Sequence, residues 1–240
     1  MKERMSEELV AMRAAKELKD GDYCNLGIGT PQLCASYVSE GVKVQTENGA
    51  LGYGPLLEVA DTKGLTPDNL EQIMEEVTEL VEQRNPFMSD AGSRYFSAAP
   101  GMVFFDLLTS FIMIRSGRVV TILGGLQVAE NGDLANYSLG TAGEYPHIGG
   151  AMDLAWGAKR VIVTMTHTTK EDKPKVVKKL TMPLTASKSV DLIITDLAVI
   201  EVTSGGLLLK ELAPDWKFEE VQSLTEAKLI IAGDMKEVEL

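Results

Sequence analysis

Apolar positions recur at helical spacing from Ser6 to about Lys19, where Leu9, Met12, Ala15 and Leu18 form one stripe. Ser6 stands where a cap belongs, Glu7 and Glu8 suit the positive end of a helix, and Gly21 follows as a stop. Tyr23-Cys24-Asn25-Leu26 then reads as a short strand and Gly27-Ile28-Gly29 as a loop. Thr30-Pro31, as cap and first residue, open a helix that ends near Ser39. Val42 to Thr46 alternates as a strand does and runs into Glu47-Asn48-Gly49, which with Gly52, Gly54 and Pro55 reads as a compact irregular loop. Thr66 to Arg84 carries the strongest helical pattern of the chain: Leu70, Ile73, Met74, Val77, Leu80 and Val81 share a face, and glutamates fill the other positions.

The second half is built differently. Val119–Leu123, Arg160–Met165, Asp191–Thr195, Ala198–Val202, Leu207–Leu209 and Leu229–Ile231 are short apolar runs, several of them β-branched at consecutive positions, as strands covered on both faces are. Ala151–Ala158 and Phe218–Leu224 fit helices between them. The pattern predicts an α/β fold with an open central sheet flanked by helices, and no linker or repeat divides it, so residues 1–240 read as a single domain.

Composition narrows the field of functions. The chain has 240 residues, of which 45% are apolar, enough for a large core and too apolar for disorder. No run reaches the roughly 20 apolar residues of a membrane span, and the charged start does not resemble a signal peptide, so a cytoplasmic protein is expected. Cys24 and Cys34 alone make neither a disulfide framework nor a four-ligand zinc site, and metal chemistry is not expected. A net charge of −12 argues against a nucleic-acid surface. Lys159 to Lys188 stands apart, with eight basic residues and two acids, either a solvated basic face or a site for an anionic small molecule.

Three features could carry chemistry, and a fourth reads as a turn alone. Gly27-x-Gly29 before a helix offers free backbone N–H groups, or is only a tight turn. Glu47 falls at the C-terminal end of a strand, where open α/β sheets keep their chemistry, or is simply solvated at a turn. Gln127 to Asn136, with Asn131-Gly132-Asp133 inside it, reads as a reverse turn between extended segments. Gly149-Gly150 precedes a helix and could hold a developing oxyanion, or be a turn. His147 and His167 lie at loop-like ends without Ser or Cys beside them, and no nucleophile elbow, phosphate-binding loop or zinc-protease motif is present.

Taken together, these residues resemble the B (beta) subunit of family I CoA-transferases, the group of 3-oxoacid, 3-oxoadipate and butyrate–acetoacetate CoA-transferases. The stretches that carry the resemblance are Asn25 to Gly29, Glu47-Asn48-Gly49 with Gly52-x-Gly54-Pro55, Gln127 to Asn136, Gly149 to Leu154, Val163-Thr164-Met165-x-His167 and Thr195 to Val199, in the family's order along nearly the whole chain. The resemblance implies a CoA-transferase-type fold and exchange of CoA between an acyl-CoA and a short carboxylic acid, with Glu47 forming a covalent glutamyl-CoA intermediate. It implies Gly150 as a backbone oxyanion donor, Asn25 as an active-site asparagine, and Gly27, Gly29, Asn48, Gly49 and Gly149 as the CoA-binding surroundings. CoA enters as a substrate, with no permanently bound cofactor. It also implies a hetero-oligomer with an A (alpha) subunit that carries much of the CoA-binding surface.

The sequence departs from the family pattern in three places. Thr46 replaces the usual Ser and keeps a hydroxyl, and Asp61–Arg84 is longer than the corresponding connection. Ala91-Gly92-Ser93-Arg94 lacks the family's active-site lysine, for which Arg94 is the available substitute. Two other readings stay in view: a sugar-phosphate isomerase or deaminase-like enzyme that works without a partner, and a non-catalytic subunit in which Glu47 is replaceable.

Overall fold

The structure, a computed structural model, describes residues 2–57, 85, 87–141 and 148–240. The Thr66–Arg84 helix and His147 fall outside these residues. Helix α1 (Glu7–Ala15) is followed by β1 (Tyr23–Leu26), the single-turn α2 (Thr30–Leu33) continued by a 3-10 turn, β2 (Lys43–Thr46), β3 (Ala50–Leu51) and β4 (Val103–Phe104). Then come α3 (Leu107–Ile114), β5 (Val119–Gly124), β6 (Gln127–Ala129), β7 (Leu134–Ala135), α4 (Ala151–Gly157), β8 (Arg160–Met165) and β9 (Val176–Val177). The chain closes with β10 (Leu192–Thr195), β11 (Ala198–Thr203), β12 (Gly206–Leu212), α5 (Phe218–Ser223) and β13 (Leu229–Glu237).

Ten strands form one mixed sheet in the order β13-β12-β11-β10-β8-β5-β1-β2-β3-β4. Its centre, β10-β8-β5-β1-β2, is parallel throughout. The continuous apolar runs predicted there follow from burial on both faces. Val161 and Val163 of β8 enter one core with Leu154 of α4 and Val221 of α5, while Ile162 enters the other with Val10, Ala11 and Ala14 of α1. Toward one edge the pairing turns antiparallel through β10-β11-β12, which apolar runs alone do not reveal. β6, β7 and β9 make a separate small sheet, and β6-β7 is the hairpin that Asn131-Gly132 predicts.

The order in which strands are added reverses at β1, since the chain passes from β1 to β2 on one side and later occupies β5, β8 and β10 on the other. A crevice therefore opens beyond the carboxyl ends of β1 and β5, the place where open α/β sheets bind ligands.

Several expectations shift in detail. The loop after Glu47 contains a strand, because Ala50-Leu51 pairs with β2 and with β4. Gly29, at a φ of 87°, occupies the cap position predicted for Thr30, and its N–H bonds the Gln32 side chain at 3.0 Å. The segment α3, not predicted, is capped by Asp106, whose side chain accepts from the Thr109 N–H at 2.9 Å. The basic stretch is not one patch: Lys159 pairs with Asp22 and Arg160 with Glu17 at the opposite end of β8 from the crevice. Below α1, the buried Arg13 guanidinium grips Glu211 of β12 through two bonds of 2.6 and 2.8 Å, pinning helix to sheet by a geometry only arginine provides.

Candidate functional site

The crevice holds a cavity of about 310 Å³, walled by Asn25 to Ile28 at the end of β1, Glu47 after β2, Leu123 to Leu126 at the end of β5 and Gly149 to Ala151 at the start of α4. Among the described residues, Ala91, Asn136, Ile148 and Leu154 also line it. Close approach of these segments depends on glycine. Gly27 sits against Ile122 and Leu123 with room for no more than a strained Cβ, and a Cβ on Gly125 would come within 2.6 Å of Val163.

Glu47 is held at the rim by the local fold. Thr46 closes the turn that carries it: its carbonyl accepts the Gly49 N–H at 3.1 Å, and its hydroxyl accepts the Ala50 N–H at 3.2 Å and donates to the Asn48 side chain. The Thr46 hydroxyl is thus part of the turn itself. Beneath it lies a buried polar network. Asn25 Nδ2 donates to the Gln45 backbone carbonyl at 3.1 Å and side-chain Oε1 at 2.6 Å, and Gln45 Nε2 donates to Ser110 Oγ of α3 at 2.6 Å. The parallel register sets Asn25 beside Gln45, which explains the contact. Such a satisfied network fixes the strand end on which Glu47 stands.

The Glu47 side chain is half-buried. Burial raises its pKa and the nearby Asp153 carboxylate adds to the rise, while the Gly150 N–H, bonded to the carboxylate, pulls the other way. A side chain on Gly150 would displace this carboxylate: a Cβ there would collide with Glu47 Oε2 and lie 3.0 Å from its Cδ. A carboxylate is thus seated directly against the backbone at the start of a helix, facing an open cavity.

Of the predicted site residues, Asn25, Gly27, Glu47, Gly149 and Gly150 meet at this cavity, whereas Gly29, Asn48 and Gly49 do not line it. Asn48 donates to the Ser89 carbonyl at 2.9 Å, and Gly49, at a φ of 110°, lies under the Phe105 carbonyl, so both shape the turn. Asp90 gathers Ala91 to Arg94 into a tight loop through the N–H groups of Gly92 and Arg94, each at 2.9 Å. Ala91 reaches the cavity; Ser93 and Arg94 are not in its lining. His167 lies away from it, fully buried between Thr195 and Thr225 at 2.9 and 2.8 Å, with its pKa lowered to about 4 by desolvation. Asn136 is a lining residue that the sequence treats only as the end of a turn. Thr185 takes its backbone N–H at 3.0 Å and donates to its Oδ1 at 2.8 Å, which orients the amide.

Comparison with known proteins places this geometry in context. A sequence profile described as coenzyme A transferase matches residues 8–223. The B subunit of the 3-oxoadipate CoA-transferase of Acinetobacter baylyi is 39% identical over 232 residues, covering 95% of this chain and 97% of that protein. The beta subunit of the acetate CoA-transferase of Escherichia coli is 36% identical over 233 residues, covering 96% of each. A solved acyl-CoA transferase of Escherichia coli O157:H7 shares the fold with a TM-score of 0.68 at 18% identity, and this chain, fully covered, spans 44% of its length. With the profile running through both halves of the sheet and full-length relatives well above the identity at which families separate, the chain belongs to the coenzyme A transferase family.

Proposed function

We propose that the chain is the catalytic B subunit of a cytoplasmic CoA-transferase that moves CoA between an acyl-CoA and a short carboxylic acid of 3-oxoacid type, with Glu47 as the covalent nucleophile. The observation that carries this reading is the carboxylate itself, half-buried at the end of β2, held by the Gly150 N–H and open to the cavity. A cavity of about 310 Å³ suits a short acyl group and the thiol end of CoA. The names of the relatives support a short carboxylic acid, and one of them, the 3-oxoadipate CoA-transferase, supports a 3-oxoacid in particular.

The exchange proceeds through two acyl transfers and their reversal. A Glu47 oxygen adds to the thioester carbonyl carbon, the C–S bond breaks, and the CoA thiolate leaves behind a mixed anhydride. The thiolate then adds to Glu47 Cδ and the anhydride C–O bond breaks, releasing the donor's acid as a carboxylate and leaving a glutamyl-CoA thioester. An acceptor carboxylate reverses both steps, regenerating Glu47. No base is required, because the nucleophile is already anionic once ionised. A carboxylate is a poor nucleophile, so position and oxyanion stabilisation must supply most of the rate. Gly150 N–H serves this purpose at the glutamyl carbonyl, and the amide of Asn136, oriented by Thr185, is a second donor on the same cavity. Asn25 acts through Gln45 as a positioning residue, since its amide hydrogens are spent on that neighbour.

The test is reconstitution. The chain alone should exchange little CoA and should gain activity with an A-type subunit from the same organism. Glu47→Gln, which preserves shape and removes the charge, should lose several orders of magnitude of turnover while still assembling. Full turnover by the isolated chain would favour an isomerase-like enzyme, and near-normal exchange by Glu47→Gln would favour a supporting subunit.

A further inference from the structure

Helix α3 is apolar nearly all round, Leu-Leu-Thr-Ser-Phe-Ile-Met-Ile, yet only Ser110 and Ile114 are buried. A helix of that composition is ordinarily covered on every side. Its outer face, Leu107, Leu108 and Ile112, is continuous in spacing with Phe104 at the end of β4, the last strand of the large sheet. Beside it stands α4, whose Met152 and Trp156, one turn apart, also face solvent, Trp156 being 77% exposed and Leu108 69%. The two helices are a rigid pair. Gly157 abuts the backbone at Arg115, where a Cβ would come within 2.8 Å, and Arg115 Nε bonds Asp153 at 2.7 Å. Together these six exposed side chains give two neighbouring helices and a sheet edge an apolar outer face of the kind that marks a protein–protein contact.

We infer that this face, α3 and α4 with the β4 edge, is the docking surface for the A-type subunit, an inference that rests on reading the chain as the B half of a CoA-transferase. Three observations select that occupant. The same helix pair builds the wall behind Glu47, because Gly150 begins α4 and a Cβ there would sit 3.4 Å from Phe111 of α3. A partner on this face would therefore border the mouth of the cavity and extend it. The cavity needs extension, since about 310 Å³ accommodates the reacting end of an acyl-CoA and not its nucleotide. Finally, in the acyl-CoA transferase of Escherichia coli O157:H7 more than half of the chain lies beyond the part that this chain covers, so this fold is joined there to further polypeptide of more than its own length.

The experiment uses the full chain with an A-type subunit from the same organism. Trp156→Glu and Leu108→Glu are compared with Ile230→Glu, an exposed apolar position on β13 at the opposite edge of the sheet. Assembly is measured by light scattering and titration, and thermal unfolding is measured on the isolated chain. The two face variants should unfold within about 2 °C of the parent, as surface changes do, and bind the A-type subunit at least about 100-fold more weakly, while Ile230→Glu binds normally. In the unmodified complex, amide exchange should slow in 107–114 and 151–157, a readout that stands even if a variant fails to fold. Normal assembly by the face variants, protection confined to other segments, or loss only of self-association without the A-type subunit would each overturn the docking surface and leave the CoA-transfer reading intact. Assembly through this face without CoA exchange would overturn that reading and leave the docking surface standing.

Discussion

Replacing Gly150 with alanine isolates the seat of Glu47 from everything else. Gly150 has φ −84° and ψ 3°, a bridge conformation that is open to alanine, so the backbone and its N–H can stay where they are. The added methyl carbon, however, would overlap Glu47 Oε2, lie 3.0 Å from Cδ and 3.4 Å from Phe111 Cζ, where carbon contacts normally rest at about 3.5–4.0 Å. Phe111 blocks retreat on one side, so the carboxylate must give way by about 1 Å, a displacement that costs about 100-fold in rate when it falls on a reacting group. That corresponds to about 2.7 kcal/mol of barrier. The helix start loses little, of order 1 kcal/mol or less, because glycine is itself a modest cap. Steady-state exchange by the reconstituted enzyme, with kcat and KM resolved and thermal unfolding run in parallel, should show a fall in kcat with the fold retained. A Gly150→Ala enzyme whose kcat lies within threefold of the parent would overturn this expectation, since the methyl and the reactive carboxylate cannot share that space.

Two pH-dependent outcomes follow from the same structure. As the proposed nucleophile, Glu47 must be ionised to attack, so kcat/KM should fall as pH drops through its raised pKa, and Asp153→Asn, which removes a neighbouring charge that raises it, should move this acid limb to lower pH in a kcat/KM profile. His167 is buried neutral with a pKa of about 4 against an ordinary 6.5, so the unfolded chain binds its proton first: the stability it protects is complete above pH 6.5 and is lost as pH falls toward 4. The shift amounts to about 3 kcal/mol, and chemical denaturation of the parent and of His167→Gln between pH 7 and 4 should give a shallower slope for the variant.

The strands and the position of Glu47 were legible because the signals are local. Val161, Ile162 and Val163 are all apolar because successive side chains enter different cores, and Glu47 follows an alternating segment and precedes Asn-Gly. Residues whose role depends on distant partners were not legible in the same way. Asn136 gains its orientation from Thr185, and Gln45 meets Ser110 across 65 positions of sequence. Helix α3 escaped the periodicity because nearly all its residues are apolar, leaving no polar face to mark the turn. The basic stretch is harder to read for the converse reason: composition counts charges along the chain, whereas Lys159 and Arg160 are drawn off to Asp22 and Glu17 at the far end of the sheet. Likewise Gly29, Asn48 and Gly49 carry the motif but serve the turns behind the cavity, a distinction that only the backbone geometry makes.

Whether Glu47 forms a bond to CoA decides the mechanism, and peptide mass spectrometry reads that bond directly. The reconstituted enzyme is incubated with acyl-CoA in the absence of acceptor, then digested with and without prior borohydride reduction. The expected result is a CoA adduct on the peptide containing Glu47, lost to the corresponding alcohol on reduction and missing from Glu47→Gln. An adduct on any other residue, or sustained exchange with no adduct on that peptide, would contradict it.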